Sequence, residues 1–217
     1  MITVSIIVVD DHPVVLHGLV TLLNEDKTFK LVATCANGAD AIEALRNFKP
    51  DLALLDINMP SLNGLQVLKA MTAENMTTRV IFLAASPNDK EIIAATAGGA
   101  YGIMLKESAP DTLINCLHAV AAGQKWLSAD LVDGAIARTR EHRTQVARVE
   151  NLLTRREIEV MLRVAEGLSN KEVGNQLNIS EGTVKIHLNH IYDKIGVTNR
   201  TSLANFATAY RELRSTS

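Results

Sequence analysis

Five short runs of nearly continuous apolar residues recur through the first half of this 217-residue sequence: "SIIVV", "KLVAT", "LALLD", "RVIFL" and "GIMLK". Each is followed by a stretch with helical periodicity, over 13–24, 39–48, 65–73, 90–97 and 110–121. Strands without polar alternation suit a sheet covered on both faces, and strand–helix alternation requires crossovers of one hand. The pattern therefore predicts an α/β domain with a five-stranded parallel sheet over residues 1–121. The remaining length calls for a second domain.

In open parallel sheets the functional crevice lies beyond the carboxyl ends of the strands, where strand order reverses. The first run ends in Asp10 and Asp11, the third in Asp56 and the fifth in Lys106. Three carboxylates and one ammonium would then converge from three strands. Adjacent carboxylates resist joint ionisation unless positive charge sits among them. Oxygen-only ligands with room for water suit Mg²⁺.

The stretches "VVDDHPVV", "DINMP", "NGLQVL" and "IMLKES" closely resemble the strand ends and loops of the receiver domain of two-component response regulators, whose fold is flavodoxin-like. The resemblance implies that Asp56 is the nucleophile that takes a phosphoryl group from a sensor histidine kinase. It implies that Mg²⁺ is bound directly by Asp11 and Asp56, through the backbone carbonyl of Asn58, and by Asp10 through water. The metal and Lys106 would offset charge on the transferring phosphoryl oxygens. Met59-Pro60 would stiffen the following loop, since a residue before proline is driven toward extended conformations. Two positions depart from the family pattern. Ala84 stands where a Ser or Thr hydroxyl usually bonds a phosphoryl oxygen, and Ile103 replaces a frequent aromatic residue. Ser86 and Tyr101 are two residues out of register. A hydroxyl-bonded inward switch is therefore expected to be weak or replaced, while nucleophile, metal seat and lysine remain.

Residues 122–149 lack strand runs, and the alternating charge of "ARTREHRTQVARVE" predicts a solvated helix or a flexible connector. Trp126, the single tryptophan, is expected to anchor it on the first domain. From Leu152 onward the signals are helical. "TRRE" and "SNKE" fit the capping box, "SEGT" offers a further N-cap, and Gly167 and Gly196 stand where helices should end. Helices are predicted near 155–166, 170–177, 181–195 and 201–212. The second and third, joined by "NIS", suggest a helix-turn-helix. On the third, Val184, Leu188, Ile191 and Ile195 form one apolar stripe. Lys185, Ile186, Asn189 and Gly182 fall together well off it. Lys and Asn can bond base edges, and an exposed Ile can touch a thymine methyl.

Residues 153–203 resemble the LuxR-type helix-turn-helix over nearly their full length. That implies base contacts from Lys185, Ile186 and Asn189, with phosphate contacts from Thr183, Lys171, His187 and Arg200. Gly182 removes a further phosphate contact, and Gly174 is expected to cost its helix about 1 kcal/mol relative to Ala. Residues 1–121 carry 8 Lys and Arg against 13 Asp and Glu, and residues 150–217 carry 9 against 8. So small a positive excess implies weak DNA binding by one domain, which dimerisation on two half-sites would remedy.

Both resemblances, in this order, are typical of the NarL/FixJ response regulators. The sequence is read as a DNA-binding transcription regulator, not an enzyme: a receiver (1–121), a partly helical linker (122–149) and an all-α, four-helix DNA-binding domain (150–217). The implied partners are promoter half-sites, a sensor histidine kinase, a second copy of the chain and RNA polymerase. Three other readings compete with this one. Ala84 and Ile103 leave room for a phosphorylation-independent receiver acting as a constitutive interaction module. A phosphatase is disfavoured because "DINMP" has no second carboxylate to act as general acid. A ligand-sensing front half is disfavoured by 4% aromatic residues and the acidic layout. Cys35 and Cys116 lack metal-ligand spacing and read as inert buried thiols in a reducing compartment. Without a signal peptide, or an apolar stretch near the ~18 residues of a membrane helix, the expected location is the cytoplasm, with no membrane partner.

Overall fold

The computed structural model describes residues 3–216, and the chain divides after Ile136 into two compact units. In the first, every apolar run forms a strand: β1 (Val4–Val9), β2 (Phe29–Cys35), β3 (Leu52–Asp56), β4 (Arg79–Ala84) and β5 (Gly102–Leu105). They pair in parallel in the order β2-β1-β3-β4-β5. The order reverses between β1 and β3, which places the crevice at the carboxyl ends of those strands. The intervening helices are α1 (Pro13–Glu25), α2 (Gly38–Phe48), α3 (Gly64–Ala73), α4 (Asp89–Ala97) and α5 (Pro110–Ala121).

The unbroken apolar runs are explained by two cores. Ile7, Val9, Ala53, Leu55, Val80 and Phe82 pack with α2, α3 and α4, while Ile6, Val8, Leu52, Leu54, Ile81 and Leu83 pack with α1 and α5. Alternate residues face opposite sides, and both sides are dry. Each fully buried large aliphatic side chain contributes about 1.5–3 kcal/mol, so the sheet centre is the stable frame for the strand ends. Cys35 and Cys116 are buried free thiols, as expected. Burial pushes the Cys116 thiol up to about 12, far from reactive thiolate chemistry.

Trp126 does hold the connector to the first unit, and its backbone does much of it. The Trp126 amide donates to the Tyr101 carbonyl at 2.7 Å, and the residue bridges Gly102 beside β5. The residue keeps 36% of its surface exposed. Beyond it the connector is a single 24-residue helix, α6 (Ala129–Leu152).

The second unit contains α7 (Arg155–Ala165), α8 (Asn170–Leu177), α9 (Glu181–Ile195) and α10 (Arg200–Thr216). Thr154 with Glu157 and Ser169 with Glu172 form the two expected capping boxes, and Ser180 caps α9. Gly196 ends α9 at φ 73°, where a side chain would be strained. Val184, Leu188 and Ile191 are buried against Val160, Val164, Val173 and Leu203, so the predicted stripe is the core face. One expectation needs correction. Gly174 is not an uncompensated loss of helix propensity: a Cβ there would lie 2.7 Å from the Ile179 carbonyl oxygen. The same carbon-free space lets the Ile179 amide donate to the Gly174 carbonyl at 3.0 Å, closing the α8–α9 turn.

Gly174→Ala sets a propensity gain of about 1 kcal/mol against an overpacking cost of about 1–3 kcal/mol. The expected net is destabilisation, read as faster hydrogen exchange in α8 and α9. Slower exchange would show that the turn relaxes freely.

Candidate functional site

The carboxyl ends of β1, β3 and β5 bring Asp10, Asp11, Asp56 and Lys106 together. Asp10 is fully buried and Asp56 is 2% exposed. Lys106 Nζ lies 2.7 Å from Asp10 Oδ2 and 2.7 Å from Asp56 Oδ2. The Asn58 amide donates to the other Asp56 oxygen at 3.1 Å, while the Asn58 side chain is exposed. Burial raises the Asp56 carboxyl above its ordinary value and Asp10 adds to this, against the opposing pull of Lys106 and the Asn58 amide. Burial alone would lower Lys106, but its two carboxylate partners outweigh that and hold it as an ammonium. One ammonium does not balance three carboxylates.

The donor set fits a divalent cation. Among the described residues, Asp10 Oδ2 and Asp11 Oδ1 are buried without a hydrogen bond, and they face Lys106 Nζ at 2.7 Å and His12 Nδ1 at 3.0 Å. Ligand atoms from Asp10, Asp11, His12 and Asp56 all lie within 4.8 Å of one another. Hard oxygen donors with unmet lone pairs are what such an ion replaces water with.

On α9 the off-stripe residues are open to solvent. Lys185 and Asn189 are exposed, and Ile186 is 56% exposed. Lys185 pairs with Glu181 at 2.9 Å. Lys171 is exposed, and Thr183 and His187 are half-buried, with Thr183 Oγ1 2.8 Å from Ser180 Oγ. Arg200 differs from the rest. Its guanidinium donates to Asn170 Oδ1 at 2.8 Å and to the Leu168 carbonyl, tying the start of α10 to the α7–α8 turn.

Two family models match the chain: the response regulator receiver domain over residues 6–118 and the bacterial regulatory proteins of the luxR family over residues 151–207. The chain is a two-component response regulator. It joins a receiver to a LuxR-type DNA-binding domain, the architecture of a transcriptional regulator. It is similar to the nitrate/nitrite response regulator NarL of Escherichia coli K12, 34% identical over 200 residues, with 92% of this chain and 93% of that one covered. It is also similar to the transcriptional regulatory protein LnrK of Bacillus subtilis 168, 32% identical over 214 residues, with 95% and 97% covered. Among solved structures, response regulator ChrA matches at 30% identity and TM-score 0.56, covering 98% of this chain and 100% of that chain. An RcsB–DNA complex matches at 25% identity and TM-score 0.57, covering 95% and 98%.

In this response regulator Ala84 is fully buried, and its carbonyl accepts the Lys106 amide at 2.8 Å. Ser86 is exposed two residues on, and Ile103 is 8% exposed within the core. Sequence reasoning gave no role to two residues at the pocket. Gly64 opens α3, and a Cβ there would lie 2.3 Å from the Asp56 carbonyl oxygen; only glycine lets the helix begin so close. His12 faces the carboxylates, and its place directly after Asp10-Asp11 was the signal available.

In the second domain, Glu157 holds α7 to α9. It is 3% exposed and accepts from Lys194 Nζ at 2.7 and 2.9 Å. Burial pushes its carboxyl up, but Lys194 and the Thr154 amide and hydroxyl outweigh burial and leave it below the ordinary value. A depressed carboxyl stabilises the fold above its unfolded value, and that contribution disappears as pH falls through the folded one. Glu157→Gln is expected to cost about 1–3 kcal/mol at neutral pH, less than a fully buried pair because Lys194 stays part-solvated. Denaturant unfolding against pH should then show a flatter acid limb than wild type below about pH 4.5; parallel limbs would remove Glu157 from the linkage.

Proposed function

We propose that this regulator is switched by phosphorylation of Asp56 by a sensor histidine kinase and then binds promoter half-sites as a dimer. The receiver would span residues 1–121, the linker 122–149 and the DNA-binding domain 150–217. The observation that carries the reading is the bridging of Asp10 and Asp56 by one ammonium at the sheet's switch point. In the transfer, an Asp56 carboxylate oxygen forms a bond to phosphorus as the bond to the kinase imidazole breaks, and the imidazole leaves with the electron pair. Lys106, kept charged by its partners, would turn from a carboxylate to a phosphoryl oxygen. Asp11, Asp56 and the Asn58 carbonyl would hold Mg²⁺ directly, with Asp10 reached through water, and the ion supplies the positive charge that the carboxylate excess calls for.

On the DNA side, Lys185, Ile186 and Asn189 would read base edges, and Thr183, Lys171, His187 and Arg200 would contact phosphates. The Lys185–Glu181 pair is exposed at both ends, so moving Lys185 onto a base would cost only about 0.3–0.5 kcal/mol. A contact to RNA polymerase at the promoter and a cytoplasmic location complete the reading. Among the described residues no helix is long and apolar enough to cross a membrane.

A second reading is favoured by Ala84 and Ile103: a receiver that acts as a fixed interaction module without phosphorylation. One experiment separates the two. Wild type and Asp56→Asn are compared with Mg²⁺ and with or without acetyl phosphate, by Phos-tag gels, sedimentation and DNA binding. The expected outcome is modification and dimerisation of wild type alone, with DNA affinity rising on the order of 10²-fold. Equal behaviour without modification would support the fixed module. Separately, Lys185→Ala should lose about 1–3 kcal/mol of specific binding with helix content unchanged. A uniform loss on all sequences in a binding titration would make Lys185 a phosphate contact.

A further inference from the structure

His12 occupies the N-cap of α1, yet its side chain makes no capping hydrogen bond. That position ordinarily takes a short side chain that accepts from the first-turn amides. Here Pro13 follows at N1, and the imidazole is turned toward the carboxylates. Nδ1 lies 3.0 Å from Asp11 Oδ1 and 3.2 Å from Asp10 Oδ1. The His12 amide donates to Asp10 Oδ1 at 2.9 Å, which fixes that carboxylate's orientation. Of the four oxygens that face this nitrogen and Lys106, Asp10 Oδ2 and Asp11 Oδ1 are buried without a hydrogen bond.

We propose that His12 Nδ1 is a ligand to the cation of this pocket and sets its metal preference. The proposal rests on reading the pocket as a cation seat. An all-oxygen set suits Mg²⁺, which dehydrates reluctantly and gains little from imidazole. A ring nitrogen beside two or three carboxylates favours later first-row divalent ions such as Co²⁺, Ni²⁺ or Zn²⁺. The side chain of His12 is 63% exposed, so the ring can settle on an ion without repacking the core. The competing role for the same geometry is a counter-ion, with the ring standing in for a metal. The two roles have opposite consequences. Removing a ligand weakens one class of cation, whereas removing a counter-ion strengthens binding of all of them.

The test uses the full unphosphorylated chain, with Co²⁺ and Mg²⁺ titrated calorimetrically and in competition. Pocket binding is defined as the fraction of Co²⁺ uptake abolished by Asp11→Asn, which separates it from other surface histidines. His12→Ala removes the imidazole, and His12→Asn removes it while restoring a capping side chain, so loss of fold cannot imitate loss of a ligand. The expected result is that both variants lose Co²⁺ affinity by about tenfold or more, with Mg²⁺ affinity changed by less than about twofold. The Co²⁺ d–d bands of the pocket site should also shift in both. Unchanged Co²⁺ affinity, or tighter binding of both cations, would overturn the ligand role while leaving the cation seat intact. Co²⁺ uptake indifferent to Asp11→Asn would mean that no cation enters the pocket, and the seat and the His12 role would fall together.

Discussion

Lys106 holds the functional end of the receiver together. Its ammonium reaches Asp10 on the β1 side and Asp56 on β3 at the same 2.7 Å, so three strand ends share one charge. Without it, among the described residues, Asp56 would keep only the Asn58 amide and Asp10 only the His12 amide and ring, and losing the charged partner of a buried anion costs about 3–5 kcal/mol. The backbone supports the same geometry, because the Lys106 amide is bonded to the Ala84 carbonyl at the end of β4. Four of the five strands thus meet at a single residue, and the dry cores on both faces keep their ends in register.

Much of this was legible in the sequence because it depends on period and position along the chain. Unbroken apolar runs report strands buried on both faces, and the charged residues that end them report the crevice. Capping boxes report helix starts, since their partners are three residues apart. Gly64, Gly174 and His12 were not legible, or were misread. The two glycines are determined by an approach between segments, Gly64 by the Asp56 carbonyl and Gly174 by the Ile179 carbonyl, and His12 by how its ring turns onto the two carboxylates that precede it. Local propensity says nothing about such distances. For Gly174 it gave the wrong sign, because a helix scale counts lost entropy and not the atom a methyl group would strike.

The second domain shows the same division between readable pattern and unreadable geometry. The apolar stripe of α9 correctly divided core from surface, and the residues off it are open. What aims that face is less local. Glu157 of α7 grips Lys194 near the end of α9, and Arg200 clamps the α7–α8 turn from the start of α10. A partly buried guanidinium with two donors engaged inside the protein can still reach a phosphate with those that remain, but its removal would disturb the scaffold as well as the contact. Arg200 is therefore a poor probe of DNA binding, and Lys185, whose ion pair with Glu181 is exposed and weak, is a good one.

The charge balance of the pocket also bears on how a receiver with Ala84 and Ile103 could switch. Phosphorylation would exchange the single carboxylate charge of Asp56 for about two on the acyl phosphate, at a site already short of positive charge. Lys106 cannot then serve Asp10 and the phosphoryl oxygens equally, and no hydroxyl at position 84 shares the load. Asp10 is too deeply buried to be left alone. Either a bound cation takes over from the ammonium, or the β5 end carrying Lys106 moves and takes the Ala84 hydrogen bond with it. The second route acts through β5, beside which Trp126 docks the connector by its bridge to Gly102. A shift of this strand is thus a physical path from the pocket to the connector that requires neither of the missing side chains.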